Sequence, residues 1–291
     1  MTIHRTFLSI GLAVALMLSC AAAAEEGTSV VIQTAGESAS GAQTPREVPG
    51  RLWVPGGGGL PAVIIVHGGT GPDSRGRFHR DYLVANGFAV LEIDMWAARG
   101  VTASSQRPKT TLDTLPDVWG AWLFLAAFPS IDRSKIAILG FSWGGVNAMA
   151  TAFGKKPRNP PSALADARFA AHVAFYPSCD IWVKNGVASR VVDVSSPTGA
   201  PVQIHNGLDD DYDSDPRICE RLKTDHPALP LDVFLYADAY HGFDSVVQKT
   251  FQFFDPVAKN LKGGIVRFAG NPKARDLAAA NVLAFLSKVL K

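Results

Sequence analysis

Three residue types, in a fixed order along the chain, could do covalent chemistry: a serine at 142, carboxylates at 209–211 and a histidine at 241. The serine lies in Gly140-Phe141-Ser142-Trp143-Gly144, directly after the apolar run 136–139 and before the helical spacing of 146–153. A strand that runs into Gly-x-Ser-x-Gly and then into a helix is the setting of a nucleophile elbow. The two glycines remove side chains that would collide with the strand and helix, and the hydroxyl projects from the sheet edge beside a helix N-terminus. Taken alone, the pentapeptide also fits an ordinary strand-to-helix turn with a capping serine.

A hydroxyl is a poor nucleophile at neutral pH, so a serine enzyme needs a histidine base and a carboxylate to orient it, in the chain order Ser, acid, His. Asp209, Asp210 and Asp211 follow an apolar run at 202–204, and on position alone any of them could be the acid. Of the seven histidines only His226 and His241 lie downstream. His226 precedes Pro227 on the approach to a strand and reads as a loop residue, whereas His241 follows the strand 233–236 and so stands at a carboxyl end. A tetrahedral oxyanion also needs backbone donors. The run Val66-His67-Gly68-Gly69-Thr70-Gly71 would expose N–H groups, and the expected pair is Gly69 and Trp143, with His67 bracing the loop.

The elements that must position these residues follow from periodicity. Short apolar runs at 62–66, 89–93, 136–139, 173–175, 202–204 and 233–236 read as strands buried on both faces of a parallel sheet. Between them, 78–85, 118–127, 146–153, 217–222 and a final 276–290 carry helical spacing. Alternation of this kind predicts a doubly wound α/β domain with right-handed crossovers, preceded by short antiparallel strands at 30–33 and 51–54. Three polar stretches, 99–115, 154–166 and 178–200, read as surface loops around the sheet's carboxyl edge, where ligands bind in this architecture. There is no fixed-period repeat and no linker that would split the chain, so residues 25–291 read as one domain.

His67-Gly68 after a strand, Gly-Phe-Ser-Trp-Gly-Gly at 140–145, the turn at 207–212 and His241-Gly242-Phe243 together resemble the dienelactone hydrolase family, over essentially the whole chain after its leader. The resemblance implies an α/β-hydrolase fold. Its Gly-x-x-Asp-Asp-aromatic turn makes Asp210 the acid, with Asp209 as fallback, and makes Tyr212 a residue of the substrate site. Residues 94–100 resemble the family's Asp-x-x-x-x-Arg-Gly segment, which would bring Trp96 and Arg99 to the mouth of the site. In two respects the chain departs from the founding members: Ser142 replaces a cysteine nucleophile, and Ser245 replaces an arginine that binds the lactone carboxylate. Both departures point away from dienelactone itself and toward ordinary carboxyl esters or other lactones. A peptidase or acyltransferase on the same residues, or an exported binding protein that keeps the fold without turnover, are the competing expectations.

Composition narrows the field further. With 28 Lys and Arg against 26 Asp and Glu, and no dense basic run interleaved with aromatics, a nucleic-acid partner is not expected. Nor does the chain carry a His-x-x-x-His pair or a Cys/His cluster with metal-ligand spacing, so no metal or other cofactor is expected. His4 and Arg5, an apolar run at 7–18 and Ala22-Ala23-Ala24 have the order of a secretory signal, cleaved near Ala24 and implying a secreted or periplasmic protein. A lipid anchor on Cys20 is an alternative. Without the leader only Cys179 and Cys219 remain, beyond the ends of successive strands; an oxidising compartment would let them close a disulfide, and buried free thiols are the other reading.

Overall fold

The computed structural model describes residues 27–41, 45–184, 186–247 and 249–291. The expected leader at 1–24, and Cys20 with it, lies outside the described residues. Among the described residues ten strands form in chain order: β1 (Thr28–Gln33), β2 (Glu47–Trp53), β3 (Leu60–Val66), β4 (Ala89–Ile93), β5 (Ile131–Phe141), β6 (Ala171–Phe175), β7 (Val202–Gly207), β8 (Leu231–Tyr236), β9 (Phe251–Asp255) and β10 (Gly264–Phe268). The helices are α1 (Ser74–Ala85), α2 (Leu115–Ala126), α3 (Trp143–Ala152), α4 (Ile218–Asp225), the single turn α5 (Ala258–Leu261) and α6 (Pro272–Leu290). Eight strands make one sheet in the order β1-β2-β4-β3-β5-β6-β7-β8. The two leading strands are antiparallel and every pairing from β4 through β8 is parallel, as the alternating pattern predicts.

Period-two alternation divides the apolar side chains between the faces of this sheet. In β3, Ala62, Ile64 and Val66 pack in the core under α2 and α3, while Val63 and Ile65 pack in the core under α1 and α6. In β5, Ile136 and Ile138 go to the first face, Ala137 and Leu139 to the second. Every one of these side chains is buried, which is why the strands read as continuous apolar runs.

Helix ends follow local chemistry. The Asp73 carboxylate accepts from the Arg75 N–H and starts α1. That helix stops where Gly87 takes φ 77°, with Gly87 N–H donating to Val84 O and Phe88 N–H to Leu83 O. Asn271 caps α6, with Pro272 at its first position. Among the described residues no helix is long and apolar enough to cross a membrane.

The hairpin of β9 and β10, antiparallel and linked through α5, was not legible in the sequence pattern. Its Phe-Gln-Phe-Phe-Asp strand exposes both faces over most of its length, so neither alternation nor a buried run marks it.

Candidate active site

β3, β5, β7 and β8 are parallel neighbours or near neighbours, so the segments that leave their carboxyl ends converge on one edge. Ser142 leaves β5 with φ 50° and ψ −106°, a strained conformation for a residue with a side chain. Its N–H donates to Phe175 O, which fixes the turn against β6. The flanking glycines are sterically required: a Cβ on Gly140 would lie 2.0 Å from Gly144 O, and one on Gly144 2.1 Å from Val66 O.

Ser142 Oγ–H donates to His241 Nε2 at 2.9 Å, and His241 Nδ1–H donates to Asp210 Oδ2 at 2.8 Å. The histidine is fully buried and Asp210 is 3% exposed, while Ser142 is half-buried at the edge of the cleft. Asp210 Oδ1 also accepts from the Tyr212 N–H at 2.9 Å, so both carboxylate oxygens are held. Of the other two candidate acids, Asp211 pairs with Arg267, with 2.7 Å to its Nε, and Asp209 is anchored through its backbone N–H to Ala239 O. His226 caps α4 and donates to Trp182 O at 2.6 Å, a structural role for the loop residue expected there.

Three aromatic rings enclose the His241 imidazole: Tyr212 at 4.1 Å between centroids, Tyr176 at 4.5 Å and Phe268 at 4.9 Å. Behind Tyr176 lies a buried polar cluster that sequence reasoning missed. The Tyr176 hydroxyl donates to Asp244 Oδ1 at 2.5 Å, and His79 Nε2–H donates to Asp244 Oδ2 at 3.1 Å. Arg75, ion-paired with Asp73, reaches the same hydroxyl at 3.4 Å. Burial and the adjoining Asp244 carboxylate push the Tyr176 phenol well above its ordinary pKa, so it stays a donor. These residues come from α1, the residue after β6 and the turn after β8, and no motif spacing connects them.

The Gly69 segment is braced from behind. His67 Nε2 accepts the Met95 N–H at 3.0 Å, which leaves Nδ1 to donate to Gly68 O at 2.8 Å. Burial lowers the pKa of this imidazole to about 4, and it stays neutral in the bracing role expected of it. Trp96 Nε1–H donates to Gly69 O at 3.0 Å, and its ring meets Trp143 edge-on at 5.2 Å. Trp143 opens α3, so its backbone N–H belongs to the first helical turn, which has no intrahelical acceptor. Its indole N–H donates to Thr114 Oγ1 at 3.0 Å, which also accepts from Asn147.

An open cleft of about 1070 Å³ lies over Ser142. Its walls come from the three polar stretches expected at this edge and from the β9–β10 hairpin. Tyr212 lines the cleft as expected; its hydroxyl donates to Asp255 Oδ2 at 2.6 Å, and burial together with that carboxylate raises its pKa.

Two expectations are corrected. Trp96 is 5% exposed and supports the Gly69 peptide from behind, so it does not face the cleft. Arg99 turns inward to Asp117, 2.5 Å from Oδ2, and to the Met95 carbonyl; burial raises the Asp117 pKa to about 6 against the pull of that guanidinium. Among the cations that do line the cleft is Arg107, whose Nη1 lies 2.5 Å from where a Cβ on Gly69 would be and whose buried Nε has no partner among the described residues. It lies inside the 99–115 stretch, but nothing in its local sequence distinguishes it from Arg99.

Cys179 and Cys219 form a disulfide that ties the loop after β6 to α4. With Asp213 they make a cluster of metal-ligand residue types, but both sulfurs are bonded to each other, which leaves one carboxylate as donor.

The dienelactone hydrolase family model matches residues 48–290. Among solved structures, a dienelactone hydrolase-like promiscuous phosphotriesterase from metagenomic libraries is similar at 19% identity and TM-score 0.60, over 91% of this chain and 99% of that one. Esterase 2 of Thermogutta terrifontis, phosphoramylated by tabun, is similar at 14% identity and TM-score 0.58, over 89% of this chain and 94% of that one. The same esterase with butyrate bound is similar at 16% identity and TM-score 0.56, over 84% and 90%. At these identities the likeness to the solved structures is one of fold. Among curated proteins none matches the chain.

Proposed function

Because this chain belongs to the dienelactone hydrolase family, we propose that it is a serine hydrolase that cleaves carboxyl esters or lactones through an acyl-enzyme on Ser142. The observation that carries the reading is the hydrogen-bonded line Ser142–His241–Asp210, with spacings of 2.9 and 2.8 Å, under an open cleft. As Ser142 Oγ attacks the ester carbonyl, its proton passes to His241 Nε2. Asp210 keeps the tautomer that leaves Nε2 free to accept and stabilises the imidazolium that results. The negative charge on the carbonyl oxygen is met by the backbone N–H groups of Gly69 and Trp143. His241 then gives its proton to the departing alkoxide; in the second half-reaction it takes a proton from water as the water oxygen attacks the acyl carbon, and it returns that proton to Ser142 Oγ as the carboxylic acid leaves.

A serine suits carboxyl esters because histidine generates the attacking oxygen only as attack occurs, whereas a cysteine site depends on a standing thiolate. The tabun adduct of the Thermogutta esterase lends support, since organophosphorus groups transfer to an activated nucleophile of this kind. Export to an oxidising compartment, secreted or periplasmic, fits the Cys179–Cys219 bridge and the leader of the sequence.

The test is turnover of p-nitrophenyl esters of graded acyl length, and of simple lactones, by purified protein and by Ser142→Ala. The variant should lose roughly 10³-fold or more in kcat while keeping its fold. Equal turnover by the two proteins would remove Ser142 from the mechanism.

A further inference from the structure

We propose that the β9–β10 hairpin is a docking surface for an anionic lipid–water interface. Of eleven large hydrophobic side chains left exposed among the described residues, eight fall within residues 246–265. At the tip, Phe254 and Ile265 are cross-strand partners, 63% and 52% exposed. Val257 and Leu261, in the connecting turn, are also more than half exposed at 54% and 56%. Monomeric proteins rarely leave so concentrated an apolar surface without a use for it.

Charge selects the occupant. Lys249 and Lys262 are exposed on this segment and Lys259 is partly so. The one acid in 245–268, Asp255, is buried and accepts the Tyr212 hydroxyl. Apolar side chains that project between lysines with no exposed carboxylate are complementary to a layer of anionic headgroups over acyl chains. A second copy of the chain meets the opposite condition: a two-fold contact through this tip would bring the lysines of one subunit against the same lysines of the other.

The placement gives the docking a consequence. Phe253 and Phe268 line the cleft, as do Phe254, Val257 and Leu261 of the exposed patch itself, and the Phe268 ring lies 4.9 Å from that of His241. A lipid surface held by the tip therefore meets the mouth of the cleft, and an ester dissolved in that surface could reach Ser142 with little exposure to water. The docking itself does not depend on the esterase reading, because it is measured without turnover.

Vesicle flotation of the full chain beside Ile265→Glu/Lys262→Glu tests it, with vesicles of phosphatidylcholine alone or mixed with phosphatidylglycerol. Neither substituted side chain lines the cleft, and the two proteins are otherwise identical, so any difference reads the hairpin. The parent should bind the phosphatidylglycerol vesicles, less so as salt is raised, and the variant at least about tenfold more weakly, with unchanged turnover of a soluble short-chain ester. Lys249→Glu/Lys262→Glu, a surface change that leaves the apolar tip intact, should also weaken binding and serves if the first variant does not fold. Equal binding by parent and variant, or no binding by the parent, overturns the proposal. So does a parent dimer in sedimentation equilibrium that the variant dissolves, if neither protein floats with vesicles.

Discussion

Asp210 Oδ2 lies 2.8 Å from His241 Nδ1, while Asp211, the next residue, points its carboxylate at Arg267. A run of three aspartates thus has three separate destinations, and only the middle one can orient the imidazole. Asp210→Asn should place the wrong tautomer on His241 and lower kcat by up to about 10⁴-fold with little change in fold. Asp209→Asn and Asp211→Asn should be much milder, the latter acting through the pairing of Arg267 in β10. Steady-state kinetics of the three variants on one ester decide the point; a larger loss from Asp209→Asn than from Asp210→Asn would contradict the register.

Much of this was legible in the sequence because the signals are local. The elbow needs Gly140 and Gly144 around Ser142, and the buried strands announce themselves as apolar runs. The acid became single only through the resemblance of its turn to a family pattern, since position after β7 suits all three aspartates equally. What escaped was non-local. Arg99 and Arg107 stand eight positions apart in one polar stretch, and which one turns inward is settled by Asp117 on α2. The Tyr176–Asp244–His79 cluster joins residues up to 165 positions apart, beyond the reach of any spacing rule.

Tyr176→Phe removes the 2.5 Å donor to Asp244, a carboxylate with no solvent exposure, but keeps the ring that packs on His241. The expected cost is about 1–3 kcal/mol of stability, more than the loss of a surface hydroxyl, because a buried acceptor is left short of a partner. Urea unfolding measures it, and an unchanged midpoint would mean that Arg75 and His79 suffice to hold Asp244.

The disulfide closes a segment with 40 residues of sequence separation. The chain-entropy account assigns it about 4 kcal/mol. Cys179→Ala/Cys219→Ala should lower stability by that order, and thiol titration of the denatured, unreduced parent should find no thiol other than Cys20. Two further thiols per chain would show that the bridge does not form in the protein.

His172 is fully buried in β6, and burial, opposed only in part by the Pro201 and Thr151 carbonyls, lowers its pKa to about 3. Because the folded state resists protonation that the unfolded chain accepts near 6.5, His172 costs stability as pH falls from about 6.5 toward 3. His172→Leu should escape that cost. Its stability relative to the parent should rise by about 1.4 kcal/mol for each pH unit below about 6.5. Paired urea titrations at pH 7.5 and 5 read the difference, and a constant offset between the two proteins would show that His172 does not titrate in this way.

An activated nucleophile at Ser142 can be captured covalently. The folded parent is treated with a fluorophosphonate and digested, and the adduct is located by mass spectrometry. One adduct per chain is expected, on the peptide that carries Ser142, and none in Ser142→Ala or in parent protein denatured before treatment. An adduct on another residue, or a folded parent that remains unlabelled, would contradict it.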